Sequence, residues 1–205
     1  PQTHYQRRTH DHLWFDLDNG LRLVFHDPRR FGLILLLDKG EEKAHPLLKN
    51  LGYEPLSPDF TPEALHAGLS RRKCAIKVAL MDQKLVVGVG NIYASESLFL
   101  ARIDPRAEAS KMASQSDAIV DAIQTVLRAA ILSGGSTLRD YVRSSGDAGY
   151  FQHHFHVYDK EGVACNACSE PVSRIVQAGR STFFCARCQT HIIARAASRK
   201  HNRTH

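Results

Sequence analysis

Cys165-Asn166-Ala167-Cys168 and Cys185-Ala186-Arg187-Cys188 decide the reading of the C-terminal end: two Cys-x2-Cys turns with sixteen residues between them. Each turn presents two thiolates to one cation, and two turns complete the tetrahedron that zinc accepts. Four protein ligands close the site, so the implied cofactor, one Zn2+ per chain, is structural rather than catalytic. Between the pairs, Val172–Val176 and Ser181–Phe184 are predicted to pair as the hairpin of a zinc ribbon. The competing reading is two redox pairs or free thiols. His191 is a spare ligand beside four sufficient thiolates, and Cys74 is predicted to be a packed free thiol in a helical segment.

Arg180 falls in the predicted turn Gly179-Arg180-Ser181. A tip held rigid by zinc can push an arginine toward phosphates, although a solvated turn arginine fits the same sequence. Further upstream, Val87-Gly88-Val89-Gly90-Asn91 follows an apolar run and opens a helix. Helix N-termini offer free N–H groups and a positive dipole end to an anion. Gly-x-Gly without a third glycine, after a helix-like segment, argues against a nucleotide cofactor. A DNA phosphate then fits, with Asn91 as donor and Lys77 as a nearby cation; a tight turn between packed helices fits as well.

The rest of the chain divides by pattern. Alternating residues around Asp18-Asn19-Gly20 predict a hairpin over 12–25, and Leu33–Leu37 reads as a further strand. Gly40, Pro46, Gly52, Pro55 and Pro58 mark residues 41–60 as a linker. Thr61-Pro62-Glu63 places a cap, an N1 proline and a first-turn acid in order, so a helix starts there. Short helices are predicted over 73–81 and 91–101. A longer one over 116–132 carries Ile119, Val120, Ile123, Val126, Leu127 and Ala130 on one face and ends at Gly134-Gly135.

Hydrophobic residues make up 43%, enough for a core, and 27 Lys plus Arg against 21 Asp plus Glu give a charge of +6. The surplus suits a polyanionic partner without requiring one. The chain has no apolar run of membrane-span length, and its opening residues do not read as a signal peptide, so a cytoplasmic, bacterial, nucleoid-facing protein is expected. Thiols stay reduced there, which favours metal over disulfide.

Several motifs in one order resemble the formamidopyrimidine-DNA glycosylase family, on the branch that excises oxidised purines rather than the endonuclease-eight branch. They are Asp27-Pro28-Arg29-Arg30-Phe31-Gly32, Met81-Asp82-Gln83-Lys84, Val86 through Glu96, Gly134-Gly135-Ser136-Thr137-Leu138, Gly149-Tyr150-Phe151 and the cysteine module. The resemblance implies an α+β chain: a partial N-terminal β-sandwich over 1–40, the linker 41–60, a helix–two-turns–helix domain over 61–150, a zinc-ribbon hairpin over 151–190 and a basic tail over 191–205. It implies a partner, duplex DNA with an oxidised purine or an abasic site, bound by a monomer. Lys77 and Asn91 match residues on the DNA backbone near the lesion, and Arg180 matches the zinc-finger arginine that grips the flanking phosphates. Arg29 and Phe31, with Arg30 between them, match the void-filling arginine and the wedge aromatic, which plug the stack once a base has been extruded. Arg139 and Tyr150 belong to the loop that closes over that base; Arg139 stands where many relatives carry lysine.

The family's chemistry resides in a leading Pro-Glu segment, whose proline amine attacks the sugar C1′ while the glutamate handles protons. This chain begins Pro1-Gln2-Thr3-His4, and Gln2 cannot shuttle a proton. No residue here is therefore assigned to catalysis, Pro1 included, and the 205-residue chain is expected to be inactive or severely impaired. The resulting expectation is a base-excision-repair DNA glycosylase and AP lyase of oxidised purines without its nucleophile. The alternative is a catalytically inert zinc protein that binds damaged DNA. Replacing Cys185 by serine is expected to unfold the ribbon and spare the helical middle.

Overall fold

A computed structural model describes residues 5–135 and 154–190; the chain divides into two compact units between His45 and Pro46. The fold is α+β. Pro1, Arg139, Tyr150, His191 and the basic tail lie outside the described residues.

In the first unit, β1 (Asp11–Asp16) and β2 (Arg22–His26) form one antiparallel hairpin, with Trp14 opposite Val24 and Asp16 opposite Arg22. Gly20 at φ +79° closes the turn, the Asn19 carboxamide oxygen accepts from the Leu21 N–H, and Leu17 N–H donates to Leu21 O. The buried carboxylate of Asp11 accepts from Tyr5 Oη, from Arg8 N–H at 2.7 Å and from His26 Nδ1 at 2.7 Å. The Tyr5 hydrogen bond first, then those from Arg8 and His26, hold its carboxyl well below the ordinary carboxylate range.

The strand expected at Leu33–Leu37 does not form, and the described part of the expected β-sandwich is this two-stranded sheet. A strand exists only through its ladder, and no described segment pairs with 33–37. Leu36 is fully exposed, and Leu13, Trp14, Phe15, Leu21 and Leu23 of the hairpin are exposed as well. A lone hairpin of this kind is marginal in water.

The second unit holds α1 (Pro62–Leu69), α2 (Ile76–Leu80), α3 (Asn91–Leu100), α4 (Ala109–Met112) and α5 (Ser116–Leu132), followed by β3 (Ser173–Gln177) and β4 (Arg180–Phe184). Thr61 caps α1 as expected, its hydroxyl accepting from Ala64 N–H at 3.2 Å with Pro62 at the helix start. The periodic face of α5 packs on α3 and α1 around a core that includes Leu65, Leu69, Leu80, Leu98 and Ile123. Gly134 and Gly135, both at positive φ, end α5 with Gly135 N–H on Ala130 O at 2.7 Å.

The expected linker is too long. Gly52 and Tyr53 donate backbone N–H groups to Gln83 O and Leu85 O, Val87 N–H returns to Tyr53 O, and Phe60 is buried, so residues 51–60 belong to the helical layer. A β-carbon on Gly52 would lie 2.3 Å from the Leu85 backbone, which is why that crossing needs glycine. Cys74 is corrected too: it is exposed in a bend before α2, with its carbonyl accepting from Ala109 N–H, rather than packed in a helix.

The ribbon hairpin pairs Ser173 with Phe184 through Gln177 with Arg180. Ala178 and Gly179, at φ +47° and +73°, make a two-residue turn of the type that matches strand twist. Arg180 therefore opens β4 beside the turn instead of occupying it. The ribbon shares an apolar cluster with α3, in which Phe99 meets Val157, Cys165, Val172, Phe183 and Cys185. Among the described residues, no helix is long and apolar enough to cross a membrane.

Candidate nucleic-acid interface

The sulfurs of Cys165, Cys168, Cys185 and Cys188 lie within 4.8 Å of one another, with Cys168–Cys185 at 3.4 Å and Cys165–Cys188 at 3.9 Å. A tetrahedral ion with Zn–S near 2.3 Å spaces its sulfurs about 3.8 Å apart, so the four fit one zinc. Both turns close the same way: Ser169 N–H donates to Cys165 O at 2.8 Å and Gln189 N–H to Cys185 O at 3.0 Å. Burial, then hydrogen bonds among the thiols, pushes Cys188 up to about 12, while a backbone N–H from Glu170 draws Cys168 below its ordinary value. Thiols crowded this way need a cation to ionise together, and a structural zinc supplies it.

β4, which leads into the second cysteine turn, packs against α3. Lys77, on α2, is 1% exposed. Its ammonium donates to Asn91 Oδ1 at 2.5 Å, Thr182 Oγ1 at 2.7 Å and Ser181 O at 3.1 Å. Asn91, the first residue of α3, completes the triangle with Nδ2 on Ser181 O at 3.0 Å and on Tyr158 Oη at 3.4 Å. Ammonium has three donors, and all three are used inside the protein. Within the protein Lys77 thus fixes Asn91 and the ribbon to each other. Gly88, at φ +74°, is held by the Gln83 carboxamide, which accepts its N–H at 3.0 Å, so the glycine turn leading to Asn91 is itself fixed. Gly90 supplies no side chain to cap α3.

Desolvation first, and then the Arg180 charge, lowers Lys77 from 10.5 to about 8. The sign follows from proton counting. Between about pH 8 and 10.5 the unfolded chain holds a proton here that the folded chain has released, so stability gains from this group as pH rises through that window, and the group costs stability below it. Lys77→Met should remove that pH dependence. The difference in unfolding free energy between parent and variant, measured from pH 7 to 10, should change in the parent's favour as pH rises; a pH-independent difference would contradict the assignment.

Arg180 is exposed at the hairpin tip, next to this triangle. In the first unit, the turn between Asp27 and Gly32 is also preset: Asp27 Oδ2 accepts from Gly32 N–H at 2.6 Å and Arg30 adopts φ +55°. It presents Phe31, 83% exposed, with the Arg29 guanidinium 5.5 Å over its ring.

Two polar residues that matter were missed in the sequence. Glu96 is 1% exposed in α3, and its carboxylate accepts three backbone N–H groups, from His156 at 2.8 Å, Val157 at 3.0 Å and Tyr158 at 2.8 Å. It anchors the segment that leads into the ribbon. Gln189, equally buried, accepts from Cys185 N–H at 2.8 Å and donates to Ile103 O at 2.9 Å, tying the second cysteine turn to the helical layer. An acid amid Ala94, Leu98 and Phe99 was the available signal, since a buried charge must be paired.

Buried Lys77 thus joins the start of α3 to β4, with the exposed Arg180 beside them. Comparison with known proteins agrees. Residues 51–142 match the formamidopyrimidine-DNA glycosylase H2TH domain, and residues 164–190 match the zinc finger found in FPG and IleRS. The formamidopyrimidine-DNA glycosylase of Rhodopseudomonas palustris is 45% identical over 91% of this chain and 67% of its own. That of Thioalkalivibrio sulfidiphilus is 50% identical over 89% and 67%. The crystal structure of the MutM (Fpg) protein from Thermus thermophilus superposes with a TM-score of 0.82 at 41% identity, covering 90% of this chain and 70% of that one. A Lactococcus lactis Fpg in complex with DNA containing an abasic site gives 0.81 at 35% identity, over 91% and 69%. The chain thus spans about two thirds of the length of these relatives. Its helical layer, its cysteine module and the order of its motifs agree with theirs, and the chain belongs to the formamidopyrimidine-DNA glycosylase family.

Proposed function

We propose that this chain holds damaged duplex DNA for base-excision repair of oxidised purines, 8-oxoguanine and formamidopyrimidines, in a DNA glycosylase and AP lyase. The observation that carries the reading is the Lys77–Asn91–Ser181–Thr182 lock, which fixes an exposed Arg180 beside the glycine turn and the start of α3. Arg180 grips phosphates flanking the extruded nucleotide, and Asn91 sets the turn that meets the backbone. Arg29 and Phe31 fill the emptied stack, with Arg30 shaping their turn. Arg139 and Tyr150 are assigned to the closing loop on resemblance alone. The protein acts as a monomer at chromosomal DNA.

The motifs present are those that hold DNA; those the resemblance ties to sugar and proton chemistry are not matched. The 205-residue polypeptide assayed by itself should therefore bind an abasic duplex and give no borohydride-trapped adduct. An adduct lost on acetylating the Pro1 amine would make Pro1 the nucleophile and overturn this part of the reading.

Affinity for a duplex carrying a tetrahydrofuran abasic analogue should fall steeply with salt, because neutralised phosphates release counterions. Arg180→Ala should weaken it by about 1–3 kcal/mol and lower the salt slope by about one. A flat salt dependence, or a parent-like Arg180→Ala, would refute the clamp.

A further inference from the structure

At the opposite end of the hairpin from Arg180, a cleft of about 500 Å³ opens between the end of α3 and the cysteine turns. Arg102 and Arg187 stand on its walls, and Phe99 and Leu100 supply an apolar floor. Leu100 is 46% exposed, and the Phe99 ring is stacked on His156 at 5.2 Å. Five steps along β4 lead from Arg180 to Cys185 of the second cysteine turn, roughly 17 Å at strand rise. The cleft is therefore distinct from the DNA edge proposed above.

Two features of its arginines bear on a ligand. Arg106 and Arg174, in the same unit, are each paired with an acid, Asp104 at 2.6 Å and Glu161 at 3.2 Å. Among the described residues, the guanidiniums of Arg102 and Arg187 have neither an ion pair nor a hydrogen bond. Arg102 also sits at φ +59° just past the end of α3, where Arg102 N–H bonds Phe99 O at 3.0 Å and Ile103 N–H bonds Leu98 O at 2.9 Å. Glycine is the residue that closes a helix there without strain, and arginine pays for the left-handed backbone. A side chain kept at such a position against its backbone preference points to a use for that side chain.

We propose that this cleft docks an acidic, partly apolar peptide segment of a partner protein. Arg102 and Arg187 take its carboxylates in bidentate pairs, and the Phe99–Leu100 floor receives an aliphatic or aromatic side chain between them. Charge complementarity selects this occupant. Residues 191–205 carry Arg195, Arg199, Lys200 and Arg203 and no acid, so their side chains offer these two arginines no carboxylate. Nucleic-acid phosphates would use the charge and leave the apolar floor empty.

The test uses the zinc-loaded 205-residue chain and a fluorescein-labelled peptide of about twelve residues that alternates aspartate with leucine and phenylalanine, read by anisotropy. Saturable binding that weakens with salt is expected. Arg102→Gly and Arg187→Ser should each weaken it by about tenfold, while leaving affinity for abasic DNA at the parent's level. Arg102→Gly should melt at the same temperature or higher, because it relieves the left-handed strain; loss of binding through misfolding would show the reverse. Three results would overturn the proposal: no saturable binding, equal binding by both variants, or equal binding of a peptide in which serine replaces the apolar residues. A fall in DNA affinity with these variants would instead assign the cleft to nucleic acid.

Discussion

Cys185→Ser should leave the protein without zinc and without its ribbon. Structural zinc in short peptides contributes about 10–16 kcal/mol of apparent binding energy, comparable with the roughly 5–15 kcal/mol that holds a whole domain. The loss should not stop at the ribbon, as the cysteine spacing alone suggested. Cys185 is packed against Phe99 and Val172, and its N–H is held by Gln189, which also binds Ile103. Once β4 frays, Lys77 loses Thr182 and Ser181 and keeps one partner for a buried ammonium, a costly state. Amide exchange should therefore accelerate across β3, β4, α2 and the first turn of α3, while α1 and α5 stay protected. Full protection of α2 in a zinc-free variant would show that ribbon and helices are independent.

Glu96→Ala should be the most destabilising single change in the helical layer. It strips three backbone N–H groups of a charged acceptor in an interior position, a loss of about 3–5 kcal/mol. Glu96→Gln should cost less. Its single oxygen can still serve Val157 and Tyr158, which both bond Oε1, while its amide faces the His156 N–H that Oε2 accepted. Chemical denaturation should rank parent, Gln, then Ala; an alanine variant within 1 kcal/mol of the parent, the range of an ordinary surface change, would mean the carboxylate is not a staple.

How much of this was legible follows from the range of the interactions. Each Cys-x2-Cys turn, the Thr61 cap, the face of α5 and the Asn19-Gly20 turn are written in spacings of four residues or fewer, and each stands where the sequence puts it. Leu33–Leu37 shows the limit: five apolar residues suffice for a strand only when another segment donates to them. Lys77 shows another. Two of its partners, Ser181 and Thr182, lie 104 and 105 residues away in β4, and no local pattern encodes a contact of that range. Glu96 and Gln189 are of the same kind, polar groups whose worth depends on what the fold brings opposite them. Arg180 was placed one position too far into its turn because Gly179 alone was credited, whereas Ala178 also takes positive φ.

The central claim is that a zinc-braced strand and the start of α3 form one edge that recognises damaged DNA. Its most direct measurement is the ratio of dissociation constants for an undamaged duplex and the same duplex with one tetrahydrofuran site, for the zinc-loaded chain, for Arg180→Ala and for the chain stripped of zinc. The account predicts clear preference for the damaged duplex in the first, a reduced preference in the second and none in the third. Equal affinity of the zinc-loaded chain for both duplexes, or a preference that survives removal of the metal, would contradict it.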